Sequence, residues 1–258
     1  MNARIRISVA AAAAVAALTI AAPAGAITNG GPDGTGHPEV GALLAAQAYA
    51  DGTWATCTGT LIAPRVFLTA AHCDEGTAGV NVTFASVYEP GKSTTYAGTF
   101  HADPDYTQAQ SDPHDLAVVV LDRAVKGITP ARLPQASSLS GLTGSATFTS
   151  VGYGAQDVTS GAGGKTFHYS DIRYVAVGTL NALTPSFLRI SQNASTGNGG
   201  TCYGDSGGPN FLGSGANETN IVAGTTITGD TACRSTNVDY RLDTPSARAF
   251  LGAYVPLP

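Results

Sequence analysis

The chain has 258 residues, with 13 lysines and arginines against 18 aspartates and glutamates, and a net charge of −5 at pH 7. An acidic chain without a cluster of basic residues cannot neutralise phosphates, which argues against a nucleic-acid-binding protein. Only 12% of the residues are charged, against about 25% in an average globular domain. Gly, Thr, Ser and Ala take their place, as in many secreted β-proteins.

The first 26 residues are predicted to be a signal peptide. Arg4 and Arg6 give a basic start, residues 7–22 are apolar and alanine-rich, and Ala24-Gly25-Ala26 is a small-x-small cleavage site. The apolar stretch is shorter than the ~20 residues that span a bilayer comfortably, and no other stretch is long enough. We therefore expect a secreted protein without a membrane anchor, beginning at Ile27 after cleavage.

Short apolar or alternating runs, separated by turn residues, recur along the rest of the chain and indicate β-strands. Their number and spacing predict antiparallel barrels or a sandwich. Only residues 244–251 have helical character, with Thr244 as a cap and Pro245 in the first turn. The predicted strands lie at 40–48, 59–62, 66–69, 80–86, 116–121, 146–152, 167–177, 187–191, 209–211, 221–228 and 238–242.

The chain has four cysteines, at positions 57, 73, 202 and 233. In an exported protein four cysteines should pair, and the sequence alone permits three connectivities. A zinc site is disfavoured because no paired Cys-x-x-Cys spacing is present. We expect two disulfides and no metal.

Two motifs in the first half contain candidate acid–base residues. His72 lies in Thr69-Ala70-Ala71-His72-Cys73 and is a candidate general base. Asp115 stands at the start of an apolar run, 116–121, that is typical of a buried strand. A partly buried carboxylate in that place can orient a histidine ring. The other histidines, including His37, are expected at the surface.

The third motif is Gly204-Asp205-Ser206-Gly207-Gly208-Pro209. Glycines on both sides of Ser206 allow a tight turn and leave its hydroxyl uncrowded, as a nucleophile requires. The competing interpretation of Gly-x-Ser-x-Gly is the nucleophile elbow of an α/β-hydrolase esterase or lipase. That fold places the serine before the acid and the histidine and alternates helices with strands, and this chain does neither.

These motifs and their order resemble the chymotrypsin/trypsin family of serine proteases. The resemblance implies an all-β fold of two six-stranded antiparallel Greek-key barrels with a C-terminal helix. Residues 27–130 would form the barrel carrying His72 and Asp115, and residues 131–258 the barrel carrying Ser206 and the primary specificity pocket. It implies a serine endopeptidase that needs no cofactor, with protein or peptide substrates and protein protease inhibitors as a further class of partner.

The resemblance also assigns roles around Ser206. The backbone N–H groups of Gly204 and Ser206 would form an oxyanion hole. A freed α-amine of Ile27 would pair with Asp205, whose unpaired burial would otherwise be costly. Cys57 would pair with Cys73, and Cys202 with Cys233.

The family's primary pocket has its floor six residues before the nucleophile, which here is Gly200. A trypsin-like enzyme carries an aspartate at that position, so the glycine predicts an uncharged, apolar or medium-sized side chain at the cleavage site. The other residues assigned to the pocket are Thr201, Cys202, Tyr203, Thr226, Ile227, Thr228, Gly229 and Val238. The alternative to an enzyme is a weakly active or inactive binding protein on the protease scaffold, disfavoured because the triad and its motifs are present.

Overall fold

The computed structural model describes residues 27–77, 79–161 and 164–258. The predicted leader, residues 1–26, lies outside the described residues. In the described part of the chain, no helix is long and apolar enough to cross a membrane.

The first barrel is closed and has six antiparallel strands in the order β2-β3-β4-β7-β6-β5. Strand β5 pairs back onto β2, which closes the barrel. Its interior contains apolar side chains such as Phe67, Val82 and Val119, as the alternating pattern of its strands requires. The strands are β2 (Val40–Leu44), β3 (Ala55–Ala63), β4 (Val66–Thr69), β5 (Gly79–Thr83), β6 (Thr95–Ala102) and β7 (Ala117–Leu121).

The second barrel also has six antiparallel strands, in the order β11-β12-β15-β14-β13-β8, and closes through pairing of β11 with β8. The short β1 (Gly31–Pro32) adds to β11, so the amino-terminal segment lies on the second barrel. The barrel strands are β8 (Thr147–Gly152), β11 (Tyr174–Leu183), β12 (Phe187–Ser191), β13 (Pro209–Leu212), β14 (Val222–Gly229) and β15 (Thr236–Arg241), and β9 (Asp157–Gly161) and β10 (Gly164–His168) form a separate hairpin.

The predicted fold class is confirmed: two six-stranded barrels are followed by helix α1 (Pro245–Leu251). Thr244 caps this helix as predicted, because its Oγ1 accepts a hydrogen bond from the Ala247 N–H at 3.3 Å. The predicted division near residue 130 falls between β7 and β8. An apolar cluster that includes Leu68 and Val118 of the first barrel, Tyr240 of the second and Leu251 of α1 packs the barrels together.

The expectation that His37 lies at the surface is wrong. Its side chain is only 12% exposed, with Nδ1 2.5 Å from Asp33 Oδ1 and Nε2 2.8 Å from Glu218 Oε1. Both ring nitrogens face carboxylate oxygens, so both must carry a proton and the ring is an imidazolium. The buried Arg173 donates to Asp33 Oδ2 at 2.6 Å. This charged cluster joins the amino-terminal segment to the second barrel.

Candidate active site

His72 and Asp115 come together because β4 pairs with β7. Thr69 of β4 lies opposite Ala117 of β7, so the residues just beyond each strand are neighbours. Asp115 is 6% exposed. Its Oδ1 accepts the His72 backbone N–H at 3.0 Å, and its Oδ2 lies 2.7 Å from the ring Nδ1. The carboxylate therefore fixes both the position and the tautomer of the imidazole.

Ser206 lies in a tight turn that depends on its glycine neighbours. Gly204 and Gly207 have φ of 93° and 81°, in the left-handed region. A Cβ on Gly207 would collide with Thr69 Oγ1 and the Thr58 carbonyl oxygen. The Ser206 carbonyl oxygen accepts the Thr58 N–H at 2.8 Å, which fastens the turn to strand β3. The nucleophile candidate is thus held by contacts to both barrels.

The backbone N–H groups of Gly204 and Ser206 are free. Among the described residues, neither of them donates a hydrogen bond to a protein acceptor. The Gly204 carbonyl, by contrast, accepts from Thr58 Oγ1 at 3.0 Å, which fixes the peptide on the other side of the residue. Two free donors in a turn held in this way can stabilise an oxyanion.

His72 and Ser206 line the same cavity, whose volume is about 390 Å³. In the described chain, no hydrogen bond joins the His72 ring to Ser206 Oγ. Such bonds are often long in substrate-free enzymes and tighten when substrate binds. The cavity brings together the base, the nucleophile and a surface for substrate.

The cavity contains seven of the nine residues assigned to the pocket from sequence: Thr201, Cys202, Tyr203, Thr226, Ile227, Thr228 and Gly229. Gly200 and Val238 do not line it. Gly200 is covered by the side chain of Gln192, and Val238 lines a neighbouring cavity that also touches His72 and Asp115. The further lining residues that the sequence analysis did not assign to the pocket are Asp230, Thr231 and Cys233.

Among the described residues, Asp230 is the one acidic residue that lines this cavity. Its Oδ1 accepts the backbone N–H groups of Ser235 at 2.8 Å and Thr236 at 2.9 Å. Partial burial acts to raise the pKa of Asp230, but these hydrogen bonds outweigh it and the pKa is lowered. Asp230 is therefore ionised, and its oxygens bind the loop that follows it.

Thr226, a lining residue that was assigned to the pocket from sequence, belongs to a polar cluster inside the second barrel. Its Oγ1 donates to Asp239 Oδ1 at 3.2 Å, and Asn210 Nδ2 donates to the same oxygen at 2.6 Å. Asp239 is fully buried, and this burial raises its pKa well above the usual range despite those hydrogen bonds. The sequence pattern predicted strands at 209–211, 221–228 and 238–242, but it did not predict a polar cluster between them.

Asp205, next to the nucleophile, is also fully buried. Its Oδ1 accepts the Gly154 N–H and its Oδ2 accepts the Cys202 N–H, both at 2.8 Å. Desolvation raises the pKa of Asp205 to about 7 although both hydrogen bonds act to lower it. Ile27, its implied partner, is an internal residue of this 258-residue chain and packs with Tyr174 and Ala176, and no hydrogen bond joins it to Asp205 in the described residues.

Both disulfides implied by the resemblance are present: Cys57–Cys73 and Cys202–Cys233. The first closes the segment that ends at the turn carrying His72. The second joins the residue three positions before Asp205 to the loop that follows Asp230. Each bond thus braces one side of the cavity.

The fold has two closed antiparallel barrels and a C-terminal helix, and a serine, a histidine and an aspartate lie between the barrels. This combination defines a chymotrypsin-like serine endopeptidase. The family model of trypsin matches residues 37–250, and the chain belongs to this family. It is similar to a chymotrypsin from Phaedon cochleariae, with 29% identity over 201 residues that cover 73% of this chain and 68% of that protein.

Proposed function

We propose that this serine endopeptidase cleaves peptide bonds with Ser206 as nucleophile, His72 as general base and acid, and Asp115 as the residue that orients His72. The two-point hydrogen bonding of His72 to Asp115, beside Ser206 in one cavity, is the observation that supports this assignment. Ser206 Oγ attacks the scissile carbonyl while His72 accepts its proton, and Asp115 stabilises the imidazolium.

The N–H groups of Gly204 and Ser206 receive the negative charge that develops on the carbonyl oxygen. One such donor contributes about 3–4 kcal/mol to transition-state stabilisation. His72 then protonates the leaving amine. Water attacks the acyl-enzyme by the same sequence of proton transfers and regenerates Ser206.

We further propose that the pocket takes an uncharged side chain at P1, the substrate residue on the acyl side of the scissile bond. Thr201, Ile227 and Thr228 in its lining are uncharged. Asp230 is the exception, but its oxygens are occupied by backbone N–H groups and are poorly placed to bind a cationic side chain. A panel of peptides that differ only at P1 tests this, and fastest cleavage after Arg or Lys would contradict it.

The proposal includes secretion and a mature chain that starts at Ile27. Two disulfides agree with an oxidising compartment, and the alanine-rich leader agrees with a bacterial source. Release of Ile27 would create an ammonium group that can neutralise the buried Asp205 carboxylate. N-terminal sequencing of secreted protein is the test, and a start at any other residue contradicts it.

Covalent labelling with a serine-directed phosphonate tests the catalytic assignment. We expect one label per molecule in the wild type and in Ser195→Ala, an exposed serine away from the cavity, and none in Ser206→Ala. A wild type that folds and is not labelled would favour a protease-like binding protein. Labelling that survives Ser206→Ala would place the nucleophile elsewhere.

A further inference from the structure

Asp115 lies at the centre of a three-residue turn just before strand β7. The Leu116 N–H donates to the His114 carbonyl oxygen at 2.8 Å, and this bond closes the turn. Turns of this kind are common at strand ends. His114 has a φ of 53°, in the left-handed region that residues other than glycine seldom adopt. The direction in which Asp115 leaves the turn therefore depends on the contacts that hold His114 in this conformation.

The ring of His114 lies between two carboxylates. Its Nδ1 is 3.2 Å from Asp103 Oδ2, and its Nε2 is 3.7 Å from Asp112 Oδ2. A carboxylate only accepts hydrogen bonds, so Nδ1 carries a proton and donates to Asp103. Asp103 is 5% exposed and follows β6, and its Oδ1 accepts the Asp105 N–H at 3.0 Å. One side of the ring is thus attached to the first barrel.

The second barrel reaches the other side of the ring through Asp112. Tyr240 of β15 is fully buried, and its hydroxyl donates to Asp112 Oδ1. The same hydroxyl oxygen lies 2.9 Å from Ser246 Oγ in helix α1, so Ser246 donates to it. Asp112 therefore contacts His114 with one carboxylate oxygen and Tyr240 with the other.

Resting on the proposed function, we propose that His114 is a positioning residue, which holds the turn so that the Asp115 carboxylate reaches His72. Asp103 fixes the ring from the first barrel, and Asp112 fixes it on the side that faces the second. His114 touches neither the substrate cavity nor the reacting atoms, and it acts through Asp115.

The distances in the site leave little room for a shift of the turn. Asp115 contacts the His72 backbone N–H at 3.0 Å and the ring Nδ1 at 2.7 Å. A displacement of about 1 Å in the catalytic geometry can cost about 10²-fold in rate. Tyr240 belongs to the second barrel, which also carries Ser206. The contacts from Tyr240 to the turn therefore relate the orienting carboxylate to the barrel that holds the proposed nucleophile.

His114→Asn tests this role. Asparagine tolerates the left-handed conformation, but it is too short to lie against both carboxylates. We expect kcat per labelled site to fall about tenfold or more, with KM within about twofold of the wild type, because the P1 pocket is unchanged. The substrate is a short anilide with a single residue, since the loop before Asp115 lines the neighbouring cavity and would contact longer peptides.

Active sites are counted with the serine-directed phosphonate after labelling has gone to completion. A role in stability alone would lower the number of labelled molecules and leave kcat per labelled site intact, and that result would overturn the proposal. His168→Asn is the matched control, because His168 is an exposed histidine of the β10 strand. Its kcat should equal that of the wild type.

The contribution of the second barrel is tested with Asp112→Ala, Tyr240→Phe and the double variant. The Asp112 side chain is 37% exposed, so its removal spares the core if His114→Asn folds poorly. Each single variant should lower kcat per labelled site about threefold or more. The double variant should match Asp112→Ala, because Tyr240 acts through Asp112. Losses that multiply would overturn this connection.

The two proposals fail in different ways. If the proposed function is wrong, the wild type is neither labelled nor active. If only the role of His114 is wrong, His114→Asn and Asp112→Ala are labelled and turn over with the kcat of the wild type.

Discussion

The carboxylate of Asp115 contacts His72 at two points, the backbone N–H at 3.0 Å and the ring Nδ1 at 2.7 Å. One contact fixes where the residue sits, and the other fixes which ring nitrogen carries the proton. Nε2 is left without that proton and can serve as a base. Both residues belong to the first barrel, whereas Ser206, the proposed nucleophile, belongs to the second.

Asp115→Asn should lower kcat by about 10⁴-fold, because the amide NH2 would face Nδ1 and favour the wrong tautomer. Steady-state kinetics on the best P1 peptide measures this, and KM should change little. Asp122→Asn, at an exposed aspartate, is the control. A loss of less than tenfold in Asp115→Asn would show that Asp115 does not orient the base.

Asp205 should make the stability of the full chain depend on pH. Its pKa is raised by burial to about 7, above the ~3.9 of an unfolded aspartate. The protonated group's contribution to folding is therefore complete below about pH 4 and is lost as the pH rises through about 7. Urea unfolding from pH 4 to pH 8 should show this decline in the wild type and a flatter profile in Asp205→Asn.

A chain that begins at Ile27 provides the matched comparison. Its α-ammonium group would lower the pKa of Asp205, so the decline between pH 4 and pH 8 should shrink or reverse. Equal profiles for the full chain and the shortened chain would contradict the proposed pairing of Ile27 with Asp205.

His37 should stabilise the fold in a defined pH window. Burial acts to lower the pKa of His37, but hydrogen bonds and charges from Asp33 and Glu218 outweigh it and the pKa is raised. The contribution of His37 to the free energy of unfolding is thus complete below about pH 6.5 and is lost as the pH rises through the raised pKa of His37. Desolvation acts to raise the pKa of Asp33, yet His37 and Arg173 lower it overall. The contribution of Asp33 to the free energy of unfolding is therefore lost as the pH falls below about 4.

Besides Asp33 and Glu218, the charged groups that interact with this cluster are Glu39 and Arg173. His37→Gln should therefore cost about 2 kcal/mol of unfolding free energy near pH 5.5, since it removes the cation between the buried Asp33 and the partly exposed Glu218 while Arg173 still pairs with Asp33. The cost should decrease above pH 8. The control is His168→Gln at an exposed histidine, and a cost for His37→Gln that does not vary with pH would contradict an imidazolium at this position.

The two disulfides should differ slightly in their contribution to stability. Cys57 and Cys73 are separated by 16 positions, and Cys202 and Cys233 by 31. Loop-closure entropy then predicts losses of about 3 and about 3.7 kcal/mol when each pair is replaced by alanine. Chemical denaturation of the two double variants measures these losses. A loss under about 1 kcal/mol for either pair would contradict the loop-entropy account.

Much of the fold could be predicted from the local sequence pattern. Most of the strands, the cap of the final helix and the barrel class follow from alternation, turn residues and Thr244-Pro245, because each depends on neighbours in the chain. No strand was predicted at 95–102, where β6 lies. The predicted pocket was less complete. Thr226, Ile227 and Thr228 were placed in it, but Asp230 was not, since its position depends on how the loop after β14 folds back.

The sequence did not predict the buried charged residues. His37 precedes a proline in a polar segment, and nothing in its neighbours indicates burial between Asp33 and Glu218. Asp239 lies in a strand whose apolar neighbours suggested an ordinary core, yet it joins Asn210 and Thr226 inside the barrel. Glu218 lies 181 positions from His37, and Thr226 and Asn210 lie 13 and 29 positions from Asp239; such pairings leave no periodic signal.

The sequence by itself determined the family of this protein and the residues proposed for its chemistry. A nucleophile needs glycines beside it and a base needs an orienting acid, so short motifs and their order were enough to propose Ser206, His72 and Asp115 as the catalytic residues. Only the tertiary structure decided the shape and charge of the pocket. Asp230 lines the cavity and its oxygens bind the loop that follows it, and Gln192 fills the space beside Gly200. Such side-chain contacts depend on how the loops fold, which local sequence pattern does not encode.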